Sequence, residues 1–233
     1  MKLSHINAIF KKTCLDMKRN KRQLFFFLLF PAFTYLFYFM IEDQHEMFSV
    51  MYLPINVMFC SLNIMAGIIA EEKEKGTLRS LMFANIKPIE YFFGTGLFIL
   101  IATILSCSLM VPLIPMEGMQ FVYFYLGIIL SSICSQILGA TVGLVVKNQM
   151  AANGLCAPIT IIIGMLPTFG AMNEALRNVS ELLYTTKFAN TAAEIVYKTP
   201  ITFDWKVVLT YIANFIVVFV IFHLVYKKKK LDD

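Results

Sequence analysis

Apolar positions along the chain gather into six charge-free runs, at 23–41, 47–70, 91–116, 118–146, 149–173 and 207–226. At about 1.5 Å of rise per residue, each is long enough as a helix to cross roughly 30 Å of hydrocarbon. Hydrocarbon offers no water to backbone N–H and C=O groups, so a spanning segment is either a helix or a strand of a closed barrel. None of the six runs shows the alternation that a barrel strand needs. The pattern predicts an all-α membrane protein with six transmembrane helices.

A different period precedes the first run. Leu3, Ile6, Phe10, Thr13 and Met17 recur at spacings of three and four, while Lys11, Lys12, Asp16, Lys18 and Arg19 fall on other faces. That is an amphipathic helix lying in the membrane interface, and it divides the chain into a connecting helix over 1–22 and a transmembrane domain over 23–233. With the N-terminus inside, sixteen of the twenty Lys and Arg residues fall on cytoplasmic segments. The positive-inside rule therefore puts both termini in the cytoplasm, along with the segment 71–90.

Composition reinforces the pattern. Of 233 residues 58% are hydrophobic, Phe alone supplies 22, and a soluble domain of this length cannot hide so much apolar surface. The net charge of +5 comes from basic residues hugging the anionic cytoplasmic boundary and points to lipid, with no nucleic acid involved. Lys227 to Lys230 read as a stop-transfer anchor.

Chemistry-bearing residues are sparse. Cys60, Cys107, Cys134 and Cys156 lie within apolar runs and Cys14 in the connecting helix, so they read as packing residues without disulfides. His5, His45 and His223 are too scattered for a metal cluster. The chain has no HExxH, GxSxG or GxxxxGK[ST] string, so the expectation is no catalytic residue, no metal, no bound cofactor and no hydrolysis by this chain.

Within the spans, Gly127, Ser131, Ser135, Gly139 and Gly143 stand four apart, a spacing that suits close helix packing. Asn56, Asn63, Gln136, Asn153 and Asn214 are the polar residues at membrane depth, with two readings: hydrogen bonds between helices or a substrate path. No ionisable residue falls deep in any run, which argues against an ion-coupled relay. Within the external segment 173–206, the stretch 173–197 reads as one or two amphipathic helices resting on the outer surface or dipping into it, where they would cap an exit or join two spans.

The long charged block after the second run, Glu71-Glu72-Lys73-Glu74-Lys75-Gly76-Thr77-Leu78, continues to Leu81, Lys87, Pro88, Glu90 and Gly94. Each charge left at the bilayer centre costs roughly 2.5 to 3.5 kcal/mol, so the block sits in water. These residues resemble the cytoplasmic loop of ABC-2 type transporter permeases, with its E-K-E-x-G-T-L-E-x-L string and later basic-Pro-x-Glu-x-x-x-Gly. Arg79 stands where that pattern has Glu, Asn85 where Pro is common, and Thr95 where Lys often follows the Gly.

The resemblance implies a half-transporter. Its coupling helix, built from Glu71, Glu72, Lys73, Glu74, Gly76, Thr77, Leu78, Arg79, Leu81, Lys87 and Pro88, would seat in a groove of a separate ATP-binding subunit carrying ATP and magnesium. Gly76 permits a break, Thr77 caps the next turn, and Leu78 with Leu81 offers an apolar anchor inside a charged rim. A second permease chain, identical or related, would complete the assembly in a bacterial plasma membrane. Phe, Met and Leu walls with scattered amides suit an amphipathic or hydrophobic cargo, and similar compact permeases export peptides such as bacteriocins and cytolytic toxins. Efflux of drugs or lipid-linked molecules is the alternative, and a non-transporting scaffold or immunity protein is the alternative of another class.

Overall fold

The computed structural model describes residues 2–41, 45–202 and 204–229, with the side chains of residues 21, 22, 45, 79, 82 and 229 outside that description. The described residues are mostly helical, with no strands among them. Helix α1 (Leu3–Arg19) is followed by α2 (Lys21–Met40), and Asn20 separates them, its Oδ1 accepting from the Gln23 amide. Next come α3 (His45–Met58) and α4 (Ile64–Glu74), joined through a single π turn at Phe59–Asn63 into one continuous rod. Then follow α5 (Thr77–Phe83), α6 (Pro88–Ser108), α7 (Gln120–Val145), α8 (Gln149–Met172), α9 (Glu174–Ser180), α10 (Tyr184–Val196) and α11 (Trp205–Lys229).

Six of these stretches are long and apolar enough to cross a membrane: 23–40, 46–74, 88–113, 120–145, 149–172 and 205–228. Burial divides them sharply. The α3–α4 rod has 89% of its apolar window inside the protein, whereas α11 has 11%. The second span is therefore an axle, with α6, α7, α8 and α10 packed around it and α11 laid against α7 from outside.

Glycines of α7 set how closely that axle is held. A Cβ on Gly139 would fall 2.3 Å from the Leu62 carbonyl oxygen, and one on Gly143 would fall 2.8 Å from the Ile69 Cβ. Gly127 makes room for the Phe188 ring, Ser131 shares a hydrogen bond with Tyr211 at 3.2 Å, and Ser135 shares one with Tyr184 at 2.8 Å. Without a hydrophobic drive between helices in lipid, such backbone proximity and interhelical bonds hold the bundle together.

The connecting helix differs from its sequence reading in register and in support. Leu3 is 85% exposed, and the fully buried face is Ile9, Thr13 and Met17. Helix α1 lies against the start of α6, where a Cβ on Gly94 would meet the Ile9 Cβ at 2.7 Å and the Ile6 carbonyl oxygen at 2.9 Å. A protein surface receives its buried face.

The segment between the fifth and sixth spans forms two helices, and it turns back into the bundle. Asn173 ends α8 and caps α9 by accepting from the amides of Ala175 and Leu176. Helix α9 then descends beside α8, placing Ser180 against Gly170, and Thr185 Oγ1 donates to the Ile163 carbonyl at 3.1 Å. Helix α10 climbs back with Tyr184, Phe188, Ala192 and Ile195 buried against α3 and α7.

Candidate functional site

At the Glu74 end of the axle, the charged block ties itself to three other helices of the same chain. Glu72, buried at the end of α4, accepts a hydrogen-bonded ion pair from Lys12 of α1. Lys73 Nζ donates to the carbonyls of Leu144 and Val146 at 2.7 and 3.0 Å, neutralising the negative end of α7. Glu74 accepts from the first amide of α8, Gln149 N, at 3.1 Å, and Glu71 accepts from the Gln149 side chain at 3.2 Å and from Lys75. Carboxylates are favoured at a helix N-terminus and a cation at a C-terminus, so Lys73 at the end of α7 and Glu74 at the start of α8 complement those helix ends.

Burial of Glu72 demands its partner, because an uncompensated charge at that depth is costly. On the Lys12 side, burial works against the ammonium. The charge and hydrogen bond of Glu72, with Asp16 one turn along α1, outweigh it and hold Lys12 above the ordinary lysine range.

The second half of the signature builds a cradle for α1. Lys87 precedes α6 with Pro88 at its first position, and Glu90 accepts from the Lys87 amide at 3.2 Å. Glu90 also accepts from the Lys2 amide at 2.7 Å and from His5 Nδ1 at 2.8 Å, closing the exposed start of α1. One turn further, Gly94 admits Ile9 and the backbone of Ile6. The Glu-x-x-x-Gly spacing thus fits one helix, caught at its first turn and at its middle.

Between these ties stands α5. Gly76 at φ 69° breaks the chain after α4, and Asn85 at φ 60° ends α5 in the left-handed region, where Asn is better tolerated than other side-chain-bearing residues. Thr77 Oγ1 donates to the Glu72 carbonyl at 3.3 Å, so it caps the end of α4 and not the start of α5 as its position in the sequence suggests. Leu78 is 2% exposed and belongs to the cluster of Ile9, Met17 and Tyr91, with Leu81 packed on it; these two anchor α5 to its own chain. Among the described side chains of α5, the large apolar one offered outward is Phe83, 82% exposed, beside the exposed Ser80, Ala84 and Lys87. The side chain of Arg79 lies outside the described residues. Phe83 could be found in the sequence only by fixing which face of a seven-residue helix is buried, and the charged surroundings hide that period.

The membrane-depth amides are placed as follows. Asn56 donates to Ser106 Oγ at 3.0 Å; Gln136 donates to Ser132 Oγ at 3.0 Å, and Ser132 shares a hydrogen bond with Ser61 at 2.7 Å. Asn63 donates to Thr160 Oγ1 at 2.9 Å. All three are buried between helices of one chain, at or beside the π turn. Asn153 is half-buried near Gly67, and Asn214 donates to the Leu182 carbonyl at 2.7 Å, pinning the turn between α9 and α10. Among the described residues no group of His, Cys, Asp and Glu converges as a metal site.

The second span is thus an axle held by charge to α1, α7 and α8, with a small helix hung from its end. The chain matches the family described as ABC-2 family transporter protein over residues 44–226, and it belongs to that family. It is thus the permease component of a transporter, a multi-pass membrane protein that is not itself catalytic, and membership implies association with an ATP-binding subunit. No curated protein matches it.

Proposed function

We propose that this chain is half of an ATP-driven exporter in a bacterial plasma membrane. Two permease chains work with two ATP-binding subunits, which supply ATP and magnesium, and both permease termini face the cytoplasm. The cargo is an amphipathic or hydrophobic molecule, in first place a peptide of the bacteriocin or cytolytic toxin kind. The observation that carries this reading is the junction at 71–90. A push on α5 reaches α4 through Leu78 and the Thr77–Glu72 bond, and from there α1, α7 and α8 through Glu72, Lys73, Glu74 and Glu71.

Coupling needs this kind of contact, because a conformational change is explained only by an element with two arrangements that both sites bias. Docking of an ATPase on α5 supplies one bias, and cargo between two permease chains supplies the other. The experiment is co-purification of the chain with its ATP-binding subunit, followed by ATP-dependent uptake of peptide into inside-out vesicles. Uptake that requires both proteins and hydrolysable ATP is the expected result. Uptake by the permease alone, or a stable pair that moves no peptide, drug or lipid, would contradict it.

A further inference from the structure

Helix α9 carries charges to a depth where lipid will not hold them. Trp205 opens α11 with its side chain 70% exposed, the position of an interfacial aromatic, and Lys227 closes the apolar stretch at the other end. Asn214 lies nine residues below Trp205, about 13 Å down the helix, close to the midpoint of that stretch. Its side chain holds the Leu182 carbonyl, so the turn after α9 reaches the same level. The depth has an independent marker, since Thr185 bonds Ile163, nine residues inside the end of α8.

Glu181 immediately precedes that turn, and Arg177 stands one helical turn above it. Their side chains are 56% and 59% exposed and paired loosely at 3.9 Å, at the open edge of the contact where the Arg177 backbone and Ser180 meet Gly170 of α8. Asn178 and Glu174 are exposed as well, among the apolar Leu176, Val179 and Leu182. Helix α9 packs chiefly on α8, leaving these groups outside the bundle. Ionisable side chains at membrane depth face water or a bundle interior, and within this chain they face neither.

We propose that α8 and α9 form the wall of a water-filled vestibule opening outward and reaching to about mid-membrane, with Arg177, Asn178 and Glu181 wetting it. Resting on the exporter reading, the vestibule takes the charged face of an amphipathic peptide as it leaves: Arg177 and Glu181 meet charges of either sign, and Leu176 and Val179 meet the apolar face. It puts ionisable groups at a depth the six spans lack, through a segment that does not span.

The test is thiol labelling of full-length protein in intact cells with a membrane-impermeant maleimide, which needs neither cargo nor ATPase. Glu181→Cys and, as a milder substitution, Asn178→Cys are compared with Val217→Cys, an exposed position of α11 at similar depth, over the wild-type background. The expected result is labelling at positions 181 and 178 at least about tenfold faster than at 217, since only a thiolate reacts and an apolar surround suppresses it. Positions 181 and 178 both as inert as 217 would overturn the vestibule. Labelling without any change in peptide export on Glu181→Lys would leave the vestibule standing and remove the cargo contact alone.

Discussion

Two regions of the bundle, the charged end of the second span and the surroundings of the re-entrant helix pair, are secured by opposite chemistry. At the charged end, Glu71, Glu72, Lys73 and Glu74 reach α1, α7 and α8 through charge, much of it at helix termini. Around the re-entrant pair, hydroxyl and amide pairs do the holding: Ser135 with Tyr184, Ser131 with Tyr211, and Asn214 with Leu182. Charge-assisted bonds run roughly twice as strong as neutral ones, and a buried charge stripped of its partner is penalised further. The charged junction is therefore the stiff region, suited to carrying a displacement into several helices together, and the re-entrant region consists of contacts that exchange one at a time.

Paired glycine substitutions should separate the two regions most clearly. Gly94→Ala drives a Cβ into the Ile9 Cβ and a backbone carbonyl, neither of which can rotate away, and should cost about 2 to 3 kcal/mol. Gly170→Ala meets first the Ser180 hydroxyl at 2.3 Å, a group that turns aside, and should cost about 1 kcal/mol. Thermal unfolding of both variants in detergent checks the ordering, and equal losses would erase the distinction.

Breaking the Lys12–Glu72 pair comes close behind. Lys12→Ala leaves Glu72 buried alone and should cost roughly 2 to 3 kcal/mol, less than for a fully enclosed pair because a third of Lys12 stays in water. Adding Glu72→Gln should return part of that loss, which a double-mutant cycle reads directly. The same pair sets an alkaline limit. Folding raises the Lys12 pKa above 10.5, so its contribution is fully present below that value and fades as pH rises through the higher folded-state value. A wild-type stability curve that falls there, and a Lys12→Ala curve that falls less, are expected.

The smallest effect belongs to the re-entrant region. Tyr184→Phe removes one neutral hydrogen bond to Ser135 and should cost about 1 kcal/mol or less in thermal unfolding. A loss as large as that of Lys12→Ala would show that the re-entrant region is no softer than the charged junction.

Spans were legible because apolar length is a local property, readable one window at a time. The re-entrant pair was legible only as amphipathic helices: α10 buries Thr185, Thr186 and Thr191 beside its aromatics, and α9 lacks the length to announce its depth. The signature 71–94 could be recognised, yet the partners of its residues could not. Lys12 and Glu72 are sixty residues apart, and Glu74 and Gln149 seventy-five, so nothing local links them. Leu78 looked like an outward anchor because its neighbours are charged, but those neighbours are spent on α1, α7 and α8, and the hydrophobic side of α5 turns inward with them.

That inversion can be tested by one measurement, the affinity of the ATP-binding subunit for permease carrying Phe83→Asp. A carboxylate at an apolar docking point should weaken association by about 2 to 4 kcal/mol, roughly 30-fold to several hundred-fold, while the thermal midpoint of the permease stays unchanged because Phe83 is 82% exposed. Undiminished association of the Phe83→Asp protein would contradict the account.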